Sequence, residues 1–278
     1  MLVRTLSAFI LLAAFIPCLI FSHLIPLLDI VLAVPCVIAC LEILGCIKLK
    51  RVWLITVPTV IIAAGVPLCI RAIDTGIELS SLILLVFIIY MFLLLGVGVF
   101  SRGKYKIQDI ALAFVMIFYI IFGFSSILSM RAMENGQYLY LLIFLSAWIT
   151  DTGAYFTGVL FGKHKLIPDV SPKKTVEGAV GGLVFCVVSF IIFGFIMQTR
   201  YQLAPNYILL SVLALIMAVV SMCGDLVASL VKREYDLKDY SKLIPGHGGI
   251  MDRFDSIIAT ASVMSVILGI PYIANNIL

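Results

Sequence analysis

The residues best suited to chemistry begin with an acidic side chain inside an apolar segment. Asp225, Ser229 and Lys232 are spaced at i, i+4 and i+7, so they lie on one face of a helix. Most residues between them are apolar, and the three therefore form a polar stripe on a hydrophobic helix. A charge placed in hydrocarbon costs at least about 2.5–3.5 kcal/mol. Asp225 is therefore a candidate functional residue, and an ion pair that merely holds helices together is the alternative.

A second polar group follows this helix along the chain. The segment Pro245-Gly246-His247-Gly248-Gly249 predicts a tight loop, because glycines let backbone N–H groups approach an anion. Asp252 and Asp255 follow at helical spacing. Asp225 and Asp252 together offer the oxygen ligands that a hard divalent cation prefers, especially a cation that also binds phosphates. Positive charge for the same phosphates is supplied by Lys232, Lys238 and Arg253.

A third polar group precedes these two. Asp151 opens the sequence Asp151-Thr-Gly-Ala-Tyr155 within an apolar run. Further on, Ser171-Pro172 reads as a helix start, so we predict that Lys173 and Lys174 lie at a helix N-terminus, which attracts anions. The preceding basic residues, interpreted as ordinary cytoplasmic charge, are Lys163 and Lys165. Cations and a metal gathered in this way suit phosphoryl or nucleotidyl transfer.

The elements that position these residues are membrane helices. Of the 278 residues, 63% are hydrophobic and 12% are charged, whereas soluble domains carry roughly 25% charged residues. The apolar residues form runs of about 20, which is the length that spans a bilayer. A helix satisfies its own backbone hydrogen bonds in lipid, and the runs lack the alternation of a membrane β-barrel. The predicted fold class is an all-α integral membrane protein.

We predict about nine transmembrane helices, at 5–22, 24–46, 53–71, 78–99, 109–130, 137–161, 178–198, 205–231 and 255–275. We interpret the first as a retained helix, because a small-x-small cleavage site is missing. With the N-terminus in the cytoplasm and the C-terminus outside, 3 of the 19 Lys and Arg residues face outside, as the positive-inside rule requires: Arg71, Arg131 and Arg200. The three polar groups then share the cytoplasmic side.

Within one continuous membrane domain, we divide the chain into an N-terminal scaffold, 1–108, and a C-terminal catalytic region, 109–278. The seven cysteines are interpreted as small buried hydrophobic residues. For Asp29 and Glu42 we favour a helix-end or packing role. The net charge of +4 is too small to suggest nucleic-acid binding.

The segment from Ser229 to Asp255 resembles the signature of phosphatidate cytidylyltransferases, also called CDP-diacylglycerol synthases. That signature reads Ser-x-apolar-Lys-Arg, then Lys-Asp, then His-Gly-Gly-apolar-x-Asp-Arg-apolar-Asp. The matching positions are Ser229, Lys232, Arg233, Lys238, Asp239, His247, Gly248, Gly249, Asp252, Arg253 and Asp255. The segments 151–155 and 171–178 also resemble this family. The similarity is specific over residues 151–256 and compositional before them.

The resemblance implies transfer of a cytidylyl group from CTP to phosphatidic acid, which gives CDP-diacylglycerol and pyrophosphate in phospholipid biosynthesis. It implies Mg²⁺ as the divalent cation, and a second cation, monovalent or divalent, stays open. It also implies a homodimer. From the distribution of Lys and Arg residues we expect the active site on the cytoplasmic side, and from a short chain without extramembrane domains we expect the inner cell membrane with its lipids. We expect CTP and phosphatidic acid as partners and no nucleic acid.

On this hypothesis the catalytic residues are Asp225, Lys232 and Asp252, and Asp225 and Asp252 hold the metal. The substrate-binding residues are Asp151, Lys173, Lys174, Ser229, Arg233, Lys238, Asp239, His247, Gly248, Gly249, Arg253 and Asp255. For His247, a catalytic base and a turn residue are equally compatible with the sequence. Two other functions stay open. A CTP-dependent lipid-alcohol kinase would yield a phospholipid and CDP, and a transporter would move a solute without CTP turnover.

Overall fold

Helices form nearly all of the regular structure of this protein. The computed structural model describes residues 27–70, 77–244, 246 and 248–278. The first predicted span, 5–22, lies outside the described residues, and so does His247.

The helices follow the apolar runs of the sequence. In chain order they are α1 (Leu27–Cys46), α2 (Trp53–Cys69), α3 (Ile77–Phe100), α4 (Ile107–Ala132), α5 (Gly136–Leu139), α6 (Leu141–Phe161), α7 (Val176–Tyr201), α8 (Tyr207–Glu234), α9 (Met251–Leu268) and α10 (Pro271–Ile277). Two short antiparallel strands, β1 (Lys165–Ile167) and β2 (Ser171–Thr175), separate α6 from α7.

Within the described residues, six helical segments are long and apolar enough to cross a membrane, or seven if the bent pair α9 and α10 counts as one span. The helix α2 is apolar but shorter, with 17 residues. The protein is therefore an all-α integral membrane protein, as its composition predicts. The count of about nine spans and the sides of the two termini stay predictions.

The last predicted span is not a continuous helix, and that part of the prediction is wrong. Instead of one helix over 255–275, α9 ends at Leu268 and α10 leaves it at an angle of 100°. The cause is Pro271, which has no N–H to continue the helix and restricts the residue before it. Accordingly, Ile270 adopts an extended conformation with φ −80° and ψ 114°.

The chain forms two compact units. The first comprises the residues up to Ser129 together with Glu234–Phe254, and the second comprises Met130–Arg233 together with Asp255–Leu278. The functional division at residue 108 stays a prediction.

The first unit contains a buried face of α1. Cys36, Cys40 and Ile43 recur at helical spacing and have no exposed surface. Between α2 and α3, Thr59 Oγ1 lies 2.7 Å from the hydroxyl of Tyr90, and both residues are buried. The hydrogen bond satisfies two polar groups that would otherwise be costly in this setting.

The cysteines are buried only in part, which corrects the prediction. The buried ones among the described residues are Cys36, Cys40, Cys46 and Cys186, whereas the exposed ones are Cys69 and Cys223. A thiol is a small, weakly polar group, so it fits a lipid-facing helix surface as well as a protein core.

In the second unit, α6 and α7 pack so closely that their contact requires glycine. A Cβ on Gly178 would lie 2.7 Å from the carbonyl oxygen of Ala154, and one on Gly182 would lie 2.9 Å from that of Thr150. Small residues allow such close backbone approach between membrane helices. The end of α6 and the start of α7 therefore form one continuous surface.

Candidate active site

A cleft with a largely apolar surface and several charged residues opens in the second unit, with a volume of about 440 Å³. It lies between α6, the β1–β2 hairpin, the start of α7 and the middle of α8. Its charged lining residues are Asp151, Lys165, Lys173, Lys174 and Asp225. The cleft therefore joins two polar groups that are far apart in the sequence.

The lysines of the cleft lie on the β1–β2 hairpin. Lys173 and Lys174 belong to β2, and Lys165 of β1 pairs with Thr175 in the antiparallel register. Lys165, which we interpreted as ordinary cytoplasmic charge, lines the cleft together with the other two lysines. Residue type and spacing did not separate Lys165 from Lys163, because the difference arises from the strand pairing.

The helix start predicted at Ser171-Pro172 is wrong. Residues Ser171–Thr175 form a strand, and α7 begins at Val176. Proline drives the residue before it toward an extended conformation, which fits a strand. Thr175 is the N-cap instead, and its Oγ1 accepts the N–H of Gly178 at 3.1 Å. Lys173 and Lys174 thus precede the helix rather than forming its first turn.

Glu177, in the first turn of α7, fastens the loop that leads into the hairpin. Its carboxylate accepts the backbone N–H groups of Lys163 at 3.1 Å and His164 at 3.2 Å. The ring Nδ1 of His164 lies 2.6 Å from the same carboxylate. An acidic side chain at a helix N-terminus also interacts favourably with the helix dipole. These contacts determine where β1 begins, and hence where Lys165 enters the cleft.

Lys174 and Asp225 form an ion pair in the cleft. The Nζ of Lys174 lies 2.7 Å from Oδ2 of Asp225, while Ser229 Oγ donates to Oδ1 at 3.4 Å. The two charged side chains remain 23% and 31% exposed. Pairs exposed to this degree contribute about 0–1 kcal/mol to stability. The pair therefore orients charge in an accessible cleft more than it stabilises the fold.

Asp255 adds a buried carboxylate to the same unit. It is 8% exposed and lies within electrostatic range of Asp225, Lys232 and Asp151. Lys232 is also buried, at 9% exposure. Buried charges are tolerated where opposite charges and hydrogen bonds compensate for lost hydration. The second unit therefore gathers acidic residues from α6, α8 and α9 together with Lys232.

The glycine loop belongs to the first unit, and Asp252 helps to set its conformation. Oδ2 of Asp252 accepts the backbone N–H groups of Tyr240 and Gly249, both at 2.9 Å. Asp252 lies in the first turn of α9 and is 8% exposed. The amide of Gly249, which we expected to approach an anion, donates to this carboxylate within the loop.

The tight loop predicted from its glycines is present in the described residues. Gly246 and Gly248 have φ values of +78° and +82°, which other residues adopt only with strain. The N–H of Ile244 donates to the carbonyl of Gly248 at 2.9 Å and closes the loop. A Cβ on Gly248 would also lie 2.8 Å from Asp252 Oδ2.

Glu42 forms hydrogen bonds to the segment around the glycine loop, which the sequence analysis did not predict. This residue of α1 is 7% exposed, and its Oε1 accepts the hydroxyl of Ser241 at 2.6 Å. Its carboxylate also accepts the N–H groups of Ile250 at 3.0 Å and Met251 at 2.8 Å. The available signal was the cost of a carboxylate in an apolar run. Its partners follow 199 to 209 positions later, beyond the reach of any local pattern.

The remaining predicted residues lie at the surface or outside the described part. The exposed ones are Arg233, Lys238, Asp239 and Arg253. Among the described residues, no group of three or more His, Cys, Asp or Glu side chains is arranged to hold a metal ion. Asp225 belongs to the second unit and Asp252 to the first, and their sharing of one cation stays a prediction.

Comparison with known proteins assigns the chain to a family. The sequence model of the Cytidylyltransferase family matches residues 2–270. The chain is 36% identical over 268 residues to the phosphatidate cytidylyltransferase of Staphylococcus saprophyticus. It is 35% identical to the proteins of the same name from Staphylococcus haemolyticus, over 268 residues, and Staphylococcus aureus strain COL, over 273 residues. Each alignment covers 96% of this chain and 99% of the relative. The chain therefore belongs to the Cytidylyltransferase family.

Proposed function

We propose that the protein is a phosphatidate cytidylyltransferase, which converts CTP and phosphatidic acid into CDP-diacylglycerol and pyrophosphate. The observation that carries the proposal is the cleft of the second unit, in which three lysines stand beside two carboxylates: Lys165, Lys173, Lys174, Asp151 and Asp225. The relatives that bear this activity in their names match the chain over nearly their whole length.

The reaction is a displacement at phosphorus. An oxygen of the lipid phosphate attacks the α-phosphorus of CTP and forms a new P–O bond. The bond from that phosphorus to the oxygen bridging to the β-phosphate breaks, and pyrophosphate leaves with the electron pair. A phosphate monoester is already anionic near neutral pH, since its second pKa is about 6, so a general base contributes little. The main barrier is the repulsion between two anions, and positioning and electrostatic stabilisation lower it.

The positive charges of the hairpin lysines offset the repulsion between the two phosphates. Lys173 is exposed on β2 and lines the cleft, so it is available to a phosphate group. Lys174 is held by Asp225, which keeps its ammonium group in the cleft as substrates enter. Ser229 in turn donates to Asp225 and orients its carboxylate. Lys165 adds a third positive charge from β1.

The carboxylates fit magnesium as the resident cation. Magnesium in nucleotide enzymes is held by one or two carboxylates together with substrate phosphates, rather than by a full cage of protein ligands. Asp225 and Asp252 supply oxygen ligands of that kind and would hold it. When bound, the ion would neutralise phosphate charge.

We further propose that the active site faces the cytoplasm and that the protein acts as a homodimer in the cell membrane. The distribution of Lys and Arg residues along the chain supports the cytoplasmic side. The position of lipid phosphates at the membrane surface supports a site at that level. The homodimer rests on the family resemblance.

The experiment that tests the reaction supplies membranes carrying the protein with Mg²⁺, phosphatidic acid and CTP. The CTP is labelled in the cytosine ring in one sample and in the γ-phosphate in another. We expect the ring label in a lipid and the γ label in pyrophosphate. A γ label in the lipid would instead indicate a lipid kinase, tested with a lipid alcohol in a parallel sample. Solute flux without CTP turnover would indicate a transporter.

The metal assignment is tested separately with Asp225→Asn and Asp252→Asn. Each variant is expected to lose activity about a hundredfold, because charge stabilisation of the reacting phosphates is lost. Asp169→Asn is the matched control, since Asp169 is exposed in the turn between β1 and β2 and does not line the cleft. Normal insertion with full activity in both test variants would refute the metal assignment but not the reaction.

A further inference from the structure

We infer that Glu42 is a positioning residue of the active site: from α1 it holds the loop that leads into α9. The inference rests on the proposed function, because this loop carries the glycines and Asp252 of the matched signature. All the contacts that support it lie within the first unit.

Both oxygens of Glu42 are used. Oε1 accepts the hydroxyl of Ser241 and the N–H of Ile250, and Oε2 accepts the N–H of Met251. Hydrogen bonds to an ionised carboxylate are stronger than those between neutral groups, and they offset the cost of burying the charge. Ile250 and Met251 lie at the start of α9, where helical N–H groups have no partner within the helix. Glu42 therefore caps α9 from a different helix.

Position 249 has no room for a side chain, because the carboxylate of Glu42 lies against it. A Cβ at this position would lie 2.5 Å from both carboxylate oxygens of Glu42, a distance that real contacts do not reach. The glycine therefore makes room for a side chain of α1. This gives the glycine of the signature a structural reason that involves no nucleotide.

Glu42 and Asp252 act on the loop together. Asp252 accepts the N–H of Gly249, and Glu42 accepts the next two N–H groups, of Ile250 and Met251. Three successive amides are thus held by two carboxylates. Because Asp252 follows Met251 directly, its place depends on the same hydrogen bonds. Loss of Glu42 should release the loop and displace Asp252.

The first test measures hydrogen–deuterium exchange without any substrate. Glu42→Gln keeps the shape of the side chain but places an NH2 group where a carboxylate oxygen accepted. We expect the amides of Ile250 and Met251 to exchange about tenfold faster in this variant, since each loses or weakens its acceptor. The matched control is Asp29→Asn. Asp29 is the other buried acidic residue of α1, at 5% exposure, and lies about 20 Å along the helix.

The second test measures kcat and KM for the same variants. Glu42→Gln is expected to lower kcat/KM for CTP about tenfold or more, while the KM for phosphatidic acid stays unchanged, because the loop leads to Asp252, the predicted ligand of the cation that binds the nucleotide phosphates. Glu42→Asp is too short to reach all three donors and should behave similarly. Asp29→Asn should leave kcat/KM for CTP unchanged.

Faster exchange confined to the loop, together with the loss in kcat/KM, supports the inference. Faster exchange throughout α1, or local loosening with unchanged kinetics, would overturn it, because Glu42 would then serve stability alone. Wild-type protein that makes no CDP-lipid would refute the proposed function instead. The two failures are distinguishable, since the exchange experiment needs no reaction.

Discussion

Lys174 is held 2.7 Å from Asp225, and that contact decides what a lysine at this position contributes. The sequence indicated that both residues are functional, Asp225 from the cost of a charge in an apolar helix and Lys174 from the helix start predicted at Ser171-Pro172. It grouped Asp225 with Ser229 and Lys232 of its own helix and with Asp252, but not with Lys174. In the structure the acid orients a cation from another element, as a nucleotide site requires.

At the residue scale we predict that Lys174→Met lowers kcat/KM for CTP about tenfold to a hundredfold. A hydrogen bond to a charged group is worth about 1.5–3 kcal/mol, and that energy is lost from the bound phosphate. Steady-state assays in detergent or vesicles measure the change. Lys163→Met is the control, because it removes the same charge just before the hairpin, where Lys163 does not line the cleft. Equal losses in both variants would mean that only the overall charge of the loop matters.

At the element scale, the β1–β2 hairpin and α7 show how a local sequence signal can predict a helix start at the wrong residue. Ser171-Pro172 carries the composition of a helix start, yet the helix begins after Thr175, which caps it. Both positions satisfy the local rules, and the strand pairing of Lys165 with Thr175 decides between them. The close packing of α6 against α7 positions this hairpin, because it brings the end of α6 near the start of α7.

We predict that Gly182→Ala destabilises the protein by about 1–3 kcal/mol, as overpacking of a tight contact does. Its Cβ would meet the backbone carbonyl of Thr150, which cannot move without displacing α6. Thermal unfolding in detergent measures the change. Gly96→Ala serves as the control, since nothing lies within 4 Å of its Cβ and alanine favours a helix more than glycine. Equal unfolding temperatures for the two variants would contradict the conclusion that the packing of α6 against α7 requires glycine.

At the scale of the whole molecule, composition alone requires a membrane protein, and the six long apolar helices of the described residues agree with it. The side on which the polar residues lie stays a prediction, which rests on the distribution of Lys and Arg residues. That distribution can be counted from the sequence alone, and it predicts the orientation of the chain relative to the bilayer rather than any feature of the fold.

We predict that the segment between α3 and α4 faces the cytoplasm and that the segment between α4 and α5 faces outside. In a variant without native cysteines, Glu134→Cys should react with a membrane-impermeant maleimide in intact bacterial cells. Lys104→Cys should react only after the cells are permeabilised. Both side chains are exposed, so access to the reagent depends on the side of the membrane. The opposite labelling pattern would reverse the orientation and place the cleft outside.

The sequence by itself determined the helices, the tight loop and the identity of most charged residues around the cleft. Apolar runs become helices in lipid because each helix satisfies its own backbone, a requirement that acts locally. The positive φ angles of Gly246 and Gly248 are likewise local, since glycine alone adopts them without strain. Two local signals were misjudged: Pro271, after which the chain continues as a separate short helix, and Ser171-Pro172, which belongs to a strand rather than to a helix start.

The tertiary structure decided which charged groups meet. Lys174 contacts Asp225, which lies some 50 positions away along the chain, and Glu42 contacts the loop at 241–251, which lies about 200 positions away. No periodicity links such residues, because their contact depends on how helices pack rather than on the spacing within one helix. For Glu42, which is 7% exposed, burial makes the choice of partner strict, since a carboxylate removed from water must be matched by donors at hydrogen-bonding distance.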